Sequence, residues 1–159
     1  MFANFNRRPS IAILAGAAGG AIAIGAMELF AARSEMPVMA IPFATSIVLV
    51  LGSPEADAAQ PRALIGGHLM ATLVGLLVLS LAGPQPWAAA LAVGLAMVVM
   101  HATRTFHPPA GIDPLLIVVN NMPWTFLFVP VAAGALALAL FALVWHLAVR
   151  RFDWPARWW

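Results

Sequence analysis

The sequence predicts an all-α integral membrane protein. The expected fold is a compact polytopic helix bundle of four long transmembrane helices plus two short broken or re-entrant ones, with both termini cytoplasmic. Three observations lead there. Of the 159 residues 63% are hydrophobic and only 9% charged, where a soluble domain carries roughly 25% charged residues. Mean hydropathy is +0.94. Apolar stretches fill most of the length, which leaves one membrane domain over residues 1–159: a basic segment 1–9, a transmembrane bundle 10–149 and a basic, aromatic tail 150–159.

A helix that spans the hydrocarbon needs roughly 20 residues. Residues 10–32 are long enough. Their basic flank and small residues also fit a secretory signal, but the run outlasts a usual signal core and reads as a retained first helix. Residues 37–52 are short. Residues 63–83 make a full span, and residues 87–104 fall slightly below one. Residues 108–120 cover only about 20 Å as helix and contain Pro114. Residues 124–149 are long, with room to tilt. Apolar pieces as short as the second and fifth read as re-entrant or broken helices.

Arginine sets the orientation, because cytoplasmic flanks are enriched in it. Arg7 and Arg8 lie at one end, and Arg150, Arg151 and Arg157 at the other. Both ends are therefore expected inside, at the inner (plasma) membrane, with an even number of crossings. Six crossings leave only Arg33 outside, whereas four also leave Arg62 and Arg104 there. A shift of 67 residues lays "PFATSIVLVL" on "PAGIDPLLIV" and Gly67 on Gly134. That suggests a 3+3 inverted repeat, the transporter plan that pairs interrupted helices at the binding site.

Small residues recur at four-residue spacing: Gly16 and Gly20; Gly67, Ala71 and Gly75; Ala88, Ala92 and Ala96. Such stripes let helix backbones approach closely in lipid. Trp87, Trp124, Trp154, Trp158 and Trp159 lie at segment edges and read as interfacial anchors. The net charge of +2 and the absence of a basic, aromatic run argue against nucleic acid as a partner. With no Cys there is no thiolate chemistry or cysteine metal site.

The polar groups gather in "TRTFHPPAGIDP", residues 103–114. Pro108 and Pro109 should end one helix and start the next, since Pro suits a first helical turn. The N–H groups of Ala110, Gly111 and Ile112 would then lack helical partners and point toward Arg104 and His107. A helix start beside an Arg suits an anion; a plain helix break capped by His107 or Thr105 suits the same residues. His107 has three readings: anion ligand, proton relay or carbonyl cap. Asp113 is placed to pair with Arg104 or Arg62, or to hold a coupling ion. His68, with Thr72 one turn later, faces the small-residue stripe and so faces protein. His101, His146 and Glu28 read as helix-end groups. No Ser/His/Asp set lies in a recognisable nucleophile context, so no enzyme activity, cofactor or metal is expected.

"TRTFHPPAG" (residues 103–111) and, upstream, "GSPEADAAQPRALIGGHLMATLVG" (residues 52–75) resemble the HPP family of integral membrane proteins, named for the His-Pro-Pro motif. The resemblance runs from about Pro37 to Leu140. It implies a multi-spanning protein, usually described with four transmembrane helices, and a transporter, with nitrite transport attributed to plant chloroplast and cyanobacterial members. Some members carry a C-terminal CBS region; none is expected here. His107, Pro108, Pro109, Gly111, Gln60, Pro61, Gly66, Gly67 and His68 carry over as family positions. Two stretches depart from the family: Ile112-Asp113-Pro114 stands where many members have small residues, and "PFATS", ending at Ser46, replaces a more usual Gly-Ala-Ser. A carboxylate beside an anion site repels nitrite unless it is paired or protonated.

The expected function is transport of a small inorganic anion, nitrite first, by a homo-oligomer in the lipid bilayer. Its expected substrate site is His107, Pro108, Pro109, Ala110, Gly111, Arg104, Arg62, His68, Asp113 and Ser46. The rivals are a non-transporting scaffold, in which the motif is architecture, and a metalloenzyme built on His68, His101 and His107. The cysteine-free chain makes topology directly measurable: with six crossings, Glu55→Cys labels from the cytoplasm, and Arg33→Cys and Asn121→Cys from outside.

Overall fold

A computed structural model describes residues 9–33, 41–150 and 153–158. Arg7, Arg8, Arg151, Trp159 and the 37–40 start of the second apolar segment lie outside the described residues. Six α-helices follow in order: α1 (Pro9–Arg33), α2 (Ile41–Gly52), α3 (Pro61–Ala82), α4 (Pro86–Ala102), α5 (Ile112–Val119) and α6 (Ala133–Trp145). Short 3-10 turns cover Asp57–Ala59, Pro108–Gly111 and Trp124–Leu127, and π-helical turns flank α6. The described residues contain no strand.

Local chemistry sets the boundaries. Proline opens α3, α4 and the Pro108–Gly111 turn, where its missing N–H costs nothing. Helix α4 ends in a left-handed cap: Arg104 has φ 57°, and the Thr105 N–H donates to Met100 O at 2.8 Å. Asn121, φ 51°, caps α5 in the same way, with the Met122 N–H on Ile117 O at 3.0 Å. Asn tolerates that conformation better than Arg does.

Among the described residues, three segments, not four, have the length and apolarity to cross a membrane: Ser10–Arg33, Pro61–Ala82 and Trp124–Val149. The Arg104 cap stops α4 at 17 residues, roughly 26 Å of helix. The last segment is not one continuous helix either. Val129 is extended (φ −131°, ψ 116°), because the ring of Pro130 disfavours the α conformation in the residue before it.

Contacts at one end of the bundle show how the segments run. The Ala156 N–H donates to Gln60 Oε1, an Arg62 Nη donates to Thr103 O, His146 Nε2 meets Val50 O, and Trp145 Nε1–H donates to Ala15 O. The start of α1, the end of α2, the start of α3, the end of α4 and the chain after α6 therefore lie together. Successive segments reverse direction. Arg157 and Asp57 pair at the same end.

The core is α3, which packs most extensively on α4 and α5. Ala71, Ala88, Ala92 and Ala96 are fully buried, as the small-residue stripes predict. On α1 a close approach is at Gly19, whose hydrogen faces the Trp145 ring, whereas Gly20 has open space around it. Trp154 is no interfacial anchor: the tail folds back and buries it to 2% exposure beside His146. Trp87, Trp124 and Trp158 are exposed as expected.

Helices α3 and α5 touch backbone to backbone at Gly75, where an added Cβ would stand 2.7 Å from Pro114 Cα. Gly75→Ala is expected to lower stability by about 1–3 kcal/mol through overpacking. Gly94→Ala, with nothing within 4 Å, is expected to leave it unchanged or raise it by about 0.5–1 kcal/mol. Thermal unfolding in detergent compares the two.

Candidate functional site

Residues 105–118 run alongside α3 in the same direction. Thr105 meets Gly66, His107 meets Gly67, Pro114 meets Gly75, and Val118 joins Val78. An added Cβ on Gly67 would lie 2.5 Å from His107 Cβ and 2.8 Å from Thr105 O. Only glycine admits the broken segment this close. That contact sets His107 beside His68, with ring centroids 5.1 Å apart. His68 is the eighth residue of α3, roughly 10 Å in from its first turn.

Around His68 the structure assembles an unbroken polar chain. His68 Nδ1 lies 2.8 Å from Asp113 Oδ2, and Thr72 Oγ1 donates to the same oxygen at 3.3 Å. His68 Nε2 is 2.9 Å from Ser46 Oγ. Ser46 Oγ is also 2.9 Å from His107 Nε2. His107 Nδ1 is 2.6 Å from Ala58 O. Ser46, His68, Thr72, His107 and Asp113 are all 0% exposed. Phe43 closes one side, its ring centroid 4.7 Å from that of His68. The same ring lines an apolar crevice of about 390 Å³ between α1, α2 and α6, so Phe43 stands between the crevice and the polar chain.

The partners determine where hydrogens lie. Ala58 O only accepts, so His107 Nδ1 carries a hydrogen and donates. Four links join the four side chains and Ala58 O, and each needs one hydrogen. Neutral Ser46, two neutral imidazoles and an Asp113 carboxylate supply three. The fully bonded chain therefore holds one more proton, and its net charge is zero. A charged chain here is costly, since an ionised group loses several kcal/mol or more on leaving water unless compensated.

Of the expected site residues, the structure brings together His107, His68, Asp113 and Ser46, with Pro108, Pro109, Ala110 and Gly111 forming the adjoining turn. Two expectations are corrected. Asp113 pairs with His68, and not with Arg62 or Arg104. Arg62 is half-buried and donates to Thr103 O at 2.9 Å; Arg104 is exposed, because the left-handed cap turns it out of the bundle. The anticipated row of free N–H groups is also largely used up. Ala110 N–H donates to His107 O at 3.0 Å, and the Ile112 N–H is bonded to Ala110 O and Pro109 O. A 3-10 turn bonds i to i+3, and the two prolines bring no N–H at all. His101 is exposed and stacks on Phe106 at 4.0 Å, away from His68 and His107.

Sequence reasoning missed Ala58, whose backbone carbonyl sits in an irregular loop and leaves no side-chain signal. It also missed that a Ser, a His and an Asp meet. The 67-residue shift places Ser46 opposite Asp113, and these two residues bond opposite nitrogens of His68. Gln60 is a clamp: its Nε2 donates to Pro54 O and Ala56 O, and its Oε1 accepts the tail's Ala156 and Arg157 N–H groups. It holds the loop that carries Ala58.

Apolar helices around a polar chain buried at membrane depth define a multi-pass integral membrane protein. The chain belongs to the family described as the HPP transmembrane region, matched over residues 6–155. It is 40% identical over 125 residues to a transmembrane protein of Dictyostelium discoideum, covering 74% of this chain and 40% of that one. A second transmembrane protein of that organism is 38% identical over 135 residues, covering 79% and 47%. The chain thus spans less than half the length of these relatives. No solved structure matches it.

Ser46→Ala would leave the Nε2 atoms of both His68 and His107 buried without a partner. It is expected to cost about 1–3 kcal/mol. His101→Ala, on the exposed side, is expected to change stability far less. Denaturant unfolding of both variants in detergent measures the difference.

Proposed function

We propose that the protein carries a small inorganic anion, nitrite first, across the cytoplasmic membrane, and that it does so as a transporter and not as an enzyme. The observation that carries this reading is the closed polar chain Asp113–His68–Ser46–His107 at the meeting of two short helices and a long one. Ionisable side chains held at that depth are rare unless they serve an ion or proton path. Short interrupted segments beside a polar centre are the usual setting of a transport site. The substrate class is the one that the resemblance of the His-Pro-Pro region implies. In this reading His107 is the group the anion meets, because it lies nearest the end where Arg62 and Arg104 add positive charge.

One observation favours a second reading. The chain is bonded internally at every link, as a purely architectural lock would be. Uptake by proteoliposomes separates the two. Wild type is expected to take up nitrite in preference to nitrate, formate and chloride, and folded His107→Ala to lose at least nine-tenths of that rate. Correctly inserted wild type that moves none of the four anions leaves the scaffold reading.

A further inference from the structure

We propose that Asp113, His68, Ser46 and His107 form a proton-binding site, which holds one proton at Asp113 and passes it through His68 and Ser46 to His107, coupling one proton to each anion. The coupling rests on the transport reading above; the proton site itself stands on geometry alone.

Three hydrogen-bond orders satisfy the chain with the same four hydrogens, and two of them carry the relay. The third differs from the first of these only in that the Asp113 proton sits on His68 Nδ1, an ion pair that the unpartnered Asp113 Oδ1 disfavours. In the first, Asp113 Oδ2–H donates to His68 Nδ1, His68 Nε2–H to Ser46 Oγ, Ser46 Oγ–H to His107 Nε2, and His107 Nδ1–H to Ala58 O. In the second, three bonds have broken and three have formed. The proton of Asp113 is on His68 Nδ1, that of His68 Nε2 on Ser46 Oγ, and that of Ser46 on His107 Nε2. Asp113 is then a carboxylate and His107 an imidazolium, and the sum is still zero. The distances of 2.8, 2.9 and 2.9 Å place every hop within hydrogen-bond reach. The contact of Ser46 Oγ to Pro42 O, at 3.4 Å, is the weakest open to that hydroxyl.

A second observation chooses the resting order. Asp113 Oδ1 is buried and has no hydrogen-bond partner among the described residues. An unpaired oxygen is tolerable as the carbonyl of a neutral acid and far costlier as half of a carboxylate. The neutral order is therefore the resting one. The charge-separated order becomes favourable only when a negative charge stands beside His107, and a docked anion supplies it.

The surroundings isolate this proton. Helices α2 and α6 contain no ionisable side chain, and α5 contains only Asp113. On α4 His101 is exposed. On α3 Arg62 is committed to Thr103 O, and on the neighbouring turn Asp57 pairs with Arg157 at the surface. When the anion leaves with the proton of His107, the chain is left with charge −1 and one unfilled link, and a proton from water reloads it. Each cycle moves one anion and one proton, hence no net charge.

Infrared spectroscopy of the lipid-embedded protein at neutral pH tests the site. A protonated-carboxyl band present in wild type and missing in Asp113→Asn is expected; an Asp113 signal found only as carboxylate overturns the proposal. The Asn amide can still donate to His68 Nδ1, so the variant keeps the first hydrogen-bond order and its fold. Proteoliposomes with a lumenal pH dye test the coupling, after subtraction of protein-free vesicles. On adding nitrite outside, the wild-type lumen is expected to acidify, at a rate indifferent to an imposed potassium–valinomycin potential. Asp113→Asn and Ser46→Ala are expected to lose the acidification, and Ser46→Ala to keep the carboxyl band. Nitrite entry that follows the potential and leaves lumenal pH unchanged overturns the coupling. Absence of any nitrite entry ends the transport reading with it, and the infrared band then decides the proton site alone.

Discussion

The two hydrogen bonds of His68 are the constraint on which the rest of the structure depends. One imidazole in the middle of a membrane helix offers two polar nitrogens at opposite edges of its ring, and hydrocarbon offers them no water. Each must therefore find a partner on another segment. Ser46 comes from α2 on one side and Asp113 from α5 on the other. Both helices are thereby fixed in depth and rotation against α3. Apolar packing between Leu- and Ala-rich helices in lipid gives little such register, because lipid tails are as apolar as the side chains. The polar contacts at the centre supply it.

Bringing those partners in requires short helices and close backbones. Asp113 reaches His68 only because α4 stops at its left-handed cap and the chain turns through Pro108–Gly111 to descend beside α3. Gly67 and Gly75 remove the side chains that would hold this segment away. The breaks leave backbone groups that helices would have paired, and the bundle pairs them again: Thr103 O with Arg62, Ala58 O with His107, the Ala110 N–H with His107 O. Irregular backbone at this depth survives only where protein satisfies it. The His-Pro-Pro motif thus opens the turn that follows the helix end and donates a ring N–H to the repair.

In the proposed resting order the site carries no net charge. Arg62 is half-buried and Arg104 exposed, while the groups bonded around His68 can exchange hydrogens without a net charge. Phe43, shared between the apolar crevice and the face of His68, separates the crevice from the polar chain.

The membrane class, the places of the helices and the candidate residues were legible in the sequence, because they rest on composition and local rules. Hydropathy needs no partner to act, Pro61, Pro86 and Pro108 open helices wherever they stand, and an ionisable residue in an apolar run is conspicuous on its own. His107, His68 and Asp113 stood out by their settings, and Ser46 entered through the family resemblance of its stretch. Which of them bond was decided only by the tertiary structure. Asp113 was expected to pair with Arg104 or Arg62; the left-handed cap turned Arg104 outward, Thr103 O engaged Arg62, and the carboxyl meets His68 instead. The free N–H cradle failed for a similar reason, since a 3-10 turn consumes donors that an α-helical start would leave open. Ala58 was invisible because a backbone carbonyl is the same in every residue. Hydrogen bonds across 22, 45 and 61 residues depend on the packing of whole helices, and no spacing in the sequence encodes that.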